Sequence, residues 1–211
     1  MSVIILLDDR LRAPGHKAGG VAPKLASQKL ITVGAATPIT TAVADVKAAA
    51  AALTAPIDLY IMAHGRASSP GIPGGGQLNG LIGGTGLKLC KEELQLSNMS
   101  VVQPWSGLFR SIWLYACAAA YDESIPTQHQ PGMQQQSTGR KFCGNLAMAT
   151  GAEVIASDTV QKFDDTPAGW GDVWNQTRGN AYDSTIDFGD WEGNVFTFDP
   201  KTGAGKLKLD L

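Results

Sequence analysis

Ile57-Asp-Leu-Tyr-Ile-Met-Ala63 leads directly into His64-Gly65, and Ser111-Ile-Trp-Leu-Tyr-Ala116 leads directly into Cys117. Each run is short, rich in β-branched and aromatic residues and bounded by turn residues, the pattern of a strand buried on both faces of a parallel sheet. Catalytic groups of such sheets collect just beyond the carboxyl ends of the strands, which is where His64 and Cys117 both fall. The 53 residues between them (117 minus 64) leave room for the crossover that parallel neighbours require. Adjacent strands then bring an imidazole and a thiol together. A thiol of ordinary pKa is mostly protonated at neutral pH, so a cysteine nucleophile needs just such a base beside it.

The rest of the chain supplies an α/β frame for these two strands. Val3 to Leu7 predicts a first strand, followed by a charged loop with turn residues from Asp8-Asp9-Arg10-Leu-Arg12 to His16, and Lys29 to Val33 predicts a second strand. Thr41 to Leu53 is alanine-rich with Val43, Val46, Ala50 and Leu53 on one face, which predicts a helix capped at Thr40 or Thr41 and ended before Pro56. The stretch 66–86 is dense in Gly, Ser and Pro and reads as a mobile loop at the same sheet edge. Lys91 to Leu96 reads as a short helical turn. Ser137 or Thr138 is placed to cap a helix whose inner face is Phe142, Cys143, Leu146, Ala147 and Thr150, with Gly151 as its stop. Glu153 to Ser157 is a further strand, and Asn194 to Phe198 with Lys206 to Leu211 predicts a hairpin turning at Asp199-Pro-Lys-Thr-Gly203. The sum is one domain with loop-rich insertions near 66–86, 118–136 and 162–189.

Bulk properties narrow the function. A length of 211 residues suits one such domain with a sizeable core. A net charge of -2, from 17 basic and 19 acidic residues, offers no basic field for nucleic acid and no polybasic stretch for a membrane surface. The first residues lack the positive start and the apolar length of a signal peptide, and no apolar run approaches the roughly 18 residues of a membrane span. A cytoplasmic protein is expected. The three cysteines, Cys90, Cys117 and Cys143, are odd in number and widely spaced, which favours neither a disulfide framework nor a zinc site. Cys90 and Cys143 sit in apolar patterns and read as packing residues. His16 and His129 lie in polar loops. GxGxxG, P-loop, HExxH and GxSxG motifs are all missing, so no metal and no organic cofactor is expected.

A strand ending in His-Gly followed by a strand ending in Ala-Cys resembles the caspase-like (clan CD) cysteine peptidase fold of caspases, metacaspases, legumain, clostripain and gingipains. A closer likeness is to an uncharacterised bacterial domain of that fold found at the start of very large surface proteins. Its blocks stand here as Ala63-His64-Gly65, Trp113-Leu-Tyr-Ala-Cys117, Leu146-Ala-Met-Ala-Thr-Gly-Ala-Glu-Val-Ile-Ala-Ser157 and Gly189-Asp190-Trp191. The resemblance implies a three-layer α/β domain with a mostly parallel sheet, helices on both faces and a C-terminal β-hairpin. It implies Cys117 as nucleophile, His64 as proton carrier, and the N–H groups of Gly65 and Cys117 as an oxyanion hole. It also places a substrate pocket at Asp8, Asp9, Arg10 and Arg12, at Tyr115, and at Ser157 and Asp158. The departures are Ala63 where the bacterial domain has Ser, Ala116 where it has Gly, and Tyr115 where metacaspases carry an acidic residue. A preference for cleavage after basic residues therefore does not transfer.

The expected activity is hydrolysis of protein or peptide substrates through a thioester. Two other readings fit the same residues. One is a catalytically silent caspase-fold module that binds or signals. The other is a latent effector protease of bacterial or phage conflict that waits for an activator.

Overall fold

The computed structural model describes residues 2–12, 27–68, 82–121, 138–158, 191 and 193–208. In chain order these residues form β1 (Ser2–Asp8), β2 (Gln28–Val33), α1 (Ile39–Ala51), β3 (Ile57–Met62), β4 (His64–Ser68), β5 (Ile82–Lys88) and β6 (Leu94–Gln95). After these come β7 (Ser111–Tyr115), α2 (Thr138–Thr150), β8 (Glu153–Ser157), β9 (Val195–Phe198) and β10 (Gly205–Leu207). Two 3-10 segments, Asp9–Arg12 and Leu96–Trp105, complete the described elements.

The main sheet has the strand order β10-β9-β8-β7-β3-β1-β2. The pairings β2 to β1, β1 to β3, β3 to β7 and β7 to β8 are parallel, and β9 and β10 add an antiparallel edge. The architecture is α/β with a mostly parallel sheet, as the apolar runs require. β1 shows why: all seven of its residues are buried. Alternation sends Ile4 and Leu6 to one face of the sheet and Val3, Ile5 and Leu7 to the other, so the run must be apolar throughout.

The first face carries the larger core. Ile4, Leu59, Ile112, Val154 and their neighbours pack there against Val43 and Val46 of α1, Trp105, and Phe142 and Leu146 of α2. Both α-helices among the described residues thus lie on the same face. On the opposite face Leu11 and Trp191 cover Ile5, Leu7, Tyr60, Met62 and Tyr115. Tyr60 stacks between Trp113 and Tyr115 at 5.9 Å from each, and Tyr115 stacks on Trp191 at 4.7 Å. A helical layer on this second face, as implied by the resemblance, falls outside the described residues. So do the 118–136 insertion beyond Tyr121, all of 162–189, and the block residue Asp190.

Several local expectations change. α1 begins two residues before Thr41, and no threonine caps it; the Ile39 N–H instead donates to Glu92 Oε2 at 2.8 Å, a cap supplied from a distant turn. The expected loop 66–86 contains β4 through Ser68 and β5 from Ile82. With β6 they make a separate three-stranded antiparallel sheet, and 69–81 lie outside the described residues. Lys91 to Leu96 is no helix: it holds β6 and only the start of the second 3-10 segment. α2 does end at Gly151, whose φ of 67° suits glycine and whose N–H donates to Ala147 O at 2.8 Å. Within the otherwise apolar β3, the buried Asp58 is matched by Arg110 and by the Ser111 hydroxyl, which donates to it at 2.7 Å.

Candidate active site

The two chemically pointed residues stand at the carboxyl ends of neighbouring parallel strands, beside the place where the strand order reverses between β1 and β3. β3 and β7 run in register, with Met62 opposite Tyr115. The Ala63 N–H continues the ladder to Tyr115 O at 3.3 Å. Two residues beyond Met62 is His64 and two beyond Tyr115 is Cys117, so the pair leaves the sheet at one level on strands about 4.8 Å apart. Both residues are half-buried.

The chain does not carry β3 straight into the site. It leaves the main sheet at Ala63, and His64 opens β4 of the side sheet. The imidazole and the thiol therefore belong to different sheets. Gly65 closes the gap between them: a Cβ at this position would lie 1.8 Å from the Cys117 carbonyl oxygen and 2.8 Å from its carbon. Only a residue without a side chain lets the two backbones meet this closely.

Cys117 opens a turn that is tied to two neighbouring elements. Ala118 takes a φ of 52°, a left-handed conformation that costs an alanine roughly 1–2 kcal/mol. The Ala120 N–H donates to Ser157 O at 2.9 Å, which ties the turn to β8. The Cys143 thiol donates to Ala119 O at 3.4 Å from α2. Burial pushes the Cys143 thiol above its ordinary pKa, and burial pushes Cys90 up to about 12, with Asp8 and Glu92 adding to it. Both are proton-bearing packing groups, as their sequence patterns predict.

The residues expected to form a substrate pocket separate into closed and open groups. Asp8 is fully buried and bound to Arg10, which donates from Nε to Oδ1 at 2.7 Å and from Nη2 to Oδ2 at 2.6 Å. These hydrogen bonds, opposed by burial and aided by the charges of Asp8, Glu93 and Asp9, hold the Arg10 guanidinium above its ordinary pKa. Asp9 is exposed, with its carboxylate against Gly34, where a Cβ would come within 2.6 Å of Oδ2. The Arg12 side chain lies outside the described residues. Tyr115 and Ser157 are buried. Asp158 is half-buried, and its two oxygens accept the backbone N–H and the side-chain Nδ2 of Asn194, each at 3.0 Å. Asp8 and Asp158 thus spend their carboxylates on the protein itself, and only Asp9 offers one to solvent.

Two features of the site carried no signal in residue type. Nothing marks an alanine at 118 as left-handed, and the partners of Arg10 on β5 and the turn after it are backbone carbonyls. No family model, curated protein or solved structure matches the chain. No helix among the described residues is long and apolar enough to cross a membrane.

Proposed function

We propose that the protein is a caspase-like cysteine endopeptidase of three-layer α/β architecture, acting on protein or peptide substrates in the cytoplasm. The observation that carries this reading is that adjacent parallel strands β3 and β7 end level at Met62 and Tyr115, each two residues before His64 or Cys117, with Gly65 seated on the Cys117 backbone. In the proposed scheme His64 takes the Sγ proton and the thiolate attacks the scissile carbonyl carbon. The oxyanion of the tetrahedral intermediate is held by the N–H groups of Gly65 and Cys117. Collapse breaks the C–N bond, His64 protonates the departing amine, and a thioester remains on Cys117. Water, activated by His64, then releases the carboxylic acid and restores the thiol. No metal or organic cofactor enters these steps.

Three observations support the scheme. The candidate residues follow the carboxyl ends of β3 and β7, next to the reversal of strand order between β1 and β3, the place where α/β sheets of this kind bind ligands. The nucleophile candidate starts a turn with a left-handed alanine, the kind of strained backbone that collects at functional sites. The other two cysteines are buried, with thiols held in the protonated form.

The test is covalent capture by peptidyl acyloxymethyl ketones, which require attack by an activated thiolate. One equivalent should attach to Cys117, none to a folded Cys117→Ala variant, and His64→Ala should slow capture by at least about a hundredfold, the low end for a general base. Equal labelling of the wild type and Cys117→Ala would refute the proposal.

A further inference from the structure

We infer that Asp8 and Arg10 form a clamp that sets the position of His64 relative to Cys117, and that they are positioning residues and not walls of a substrate pocket. The inference rests on the peptidase reading above. Its starting point is that the two reacting side chains are carried by different sheets, Cys117 at the end of β7 in the main sheet and His64 at the start of β4 in the side sheet. Something has to fix one sheet against the other.

Leu87, Leu89 and Leu94 anchor the side sheet in the main core, and the described polar contacts between the end of β1 and β5 converge on Asp8 and Arg10. Asp8 is the last residue of β1, which lies beside β3 in the main sheet. Its Oδ2 accepts the Cys90 N–H at 3.2 Å, and Arg10, held by both oxygens of Asp8, donates from Nη2 to Lys88 O at 2.7 Å and to Cys90 O at 3.3 Å. Lys88 is the residue directly opposite His64 in the antiparallel pair of β4 and β5, and Leu87 is opposite Gly65. One ion pair anchored in the main sheet therefore grips the strand that aligns the imidazole.

A second, independent observation points the same way. Cys90, whose N–H and C=O are both held by the clamp, has a φ of 63°, and Glu93 has 58°. Non-glycine residues persist in that conformation where their surroundings over-determine them. The same turn is tied to α1 by the Lys91 N–H on Thr37 O at 2.9 Å and by Glu92 on Ile39, and Glu93 reaches Arg66 of β4 at 3.2 Å. The first two ties hold the turn against α1 and its approach, and the third joins it to β4; among the described contacts it is Arg10 that links the end of β1 to Lys88, the residue opposite His64. The clamp also gives the buried Asp8 carboxylate a role: by accepting from Nε and Nη2 it fixes the orientation of the planar guanidinium, which then reaches both carbonyls.

A clamp and a pocket wall predict opposite kinetics. The probes are peptidyl acyloxymethyl ketones carrying Asp, Lys, Leu or Ala at the cleavage position, with the fastest chosen for comparison and iodoacetamide as a probe of simple thiol access. Arg10→Lys keeps the charge beside Asp8 but cannot span both oxygens and both carbonyls, and Asp8→Asn/Arg10→Gln replaces the ion pair by a neutral one if the single variant fails to fold. In either folded variant the maximal inactivation rate should fall by about tenfold or more, since a displacement near 1 Å costs on the order of a hundredfold. The concentration for half-maximal inactivation should stay within about twofold of the wild type, and iodoacetamide should still label Cys117. A raised half-maximal concentration with an unchanged maximal rate would show that Arg10 contacts substrate and would overturn the clamp. So would two unchanged constants. If the wild type and His64→Ala are captured at the same rate, the dyad itself falls and the clamp falls with it, an outcome read from that control alone.

Discussion

Replacing Gly65 by alanine is the sharpest perturbation the site offers. The added Cβ would sit 1.8 Å from the Cys117 carbonyl oxygen, whereas ordinary contact begins near 3.4 Å, so the two backbones must part by about 1.6 Å (3.4 minus 1.8). The obstacle is backbone at the end of a buried parallel strand pair and has no flexible side-chain end to yield. Overpacking of this kind costs about 1–3 kcal/mol. At this chain length each kcal/mol moves the midpoint by about 2–4 °C, so Gly65→Ala should melt about 2–12 °C below the wild type. The functional loss should exceed the structural one. Both proposed oxyanion donors lie at the parted contact, and a shift of that size costs on the order of a hundredfold in rate. Thermal unfolding and capture of Cys117 by the peptidyl ketone are measured on the same preparation. Gly107→Ala supplies the control. Gly107 has a φ of 73° with nothing within 4 Å of a Cβ, so alanine there costs roughly 1–2 kcal/mol through backbone conformation alone. It should lower the melting temperature and leave capture unchanged. Capture rates in Gly65→Ala within twofold of the wild type would refute the reasoning, as would equal losses of capture in the two variants.

Two further outcomes follow from particular residues. Ala118→Gly relieves a left-handed alanine at about 1–2 kcal/mol and adds about 0.5–1 kcal/mol of unfolded-chain entropy. Because Ala118 is buried, loss of its methyl costs about 0.8 kcal/mol more, so the gains and losses nearly cancel and the melting temperature should stay within about 3 °C of the wild type; a fall of more than about 5 °C would contradict the account of the turn. The Cys90 thiol is raised by the fold from an ordinary 9.0 to about 12, so above pH 9 the unfolded chain loses its proton while the folded one keeps it. Stability from this source is complete below pH 9 and lost as the pH climbs toward 12, by up to about 1.4 kcal/mol per pH unit. Denaturant unfolding of wild type and Cys90→Ala from pH 8 to 11 should show the wild type losing more stability as pH rises, and parallel curves would remove the effect.

The fold was legible wherever burial on both faces forced a composition. β1, β3, β7 and β8 appear in the sequence as nearly continuous apolar runs because alternation exposes each strand to two cores, and their limits agree with the structure to within a residue or two. The side sheet was not legible for the converse reason. β4 and β5 are built from His64-Gly-Arg-Ala-Ser68 and Ile82-Gly-Gly-Thr-Gly-Leu-Lys88, where close approach selects glycine over the β-branched residues that announce a strand. The start of α1 was misplaced because its cap is Glu92, fifty-three positions away. Local reading credits a nearby threonine with a bond that tertiary structure gives to another group.

The site divides along the same line. Residue types that carry chemistry announced themselves: a histidine and a cysteine at the ends of buried strands need no structure to be noticed, and the register of β3 and β7 brings them level. What holds them level is made of backbone. Arg10 grips the carbonyls of Lys88 and Cys90, and Gly65 meets the carbonyl of Cys117. A carbonyl is present at every position, so no residue type at 88, 90 or 117 advertises these contacts. The only sequence trace is on the side that reaches: a buried aspartate two residues before an arginine, and a glycine after the histidine. The pocket role for Asp8 and Arg10 comes from the family resemblance, and the clamp proposed for them rests on contacts that no residue type displays. Their third partner is the strand opposite His64, and through it a surface-seeming ion pair acts on the geometry of the proposed dyad.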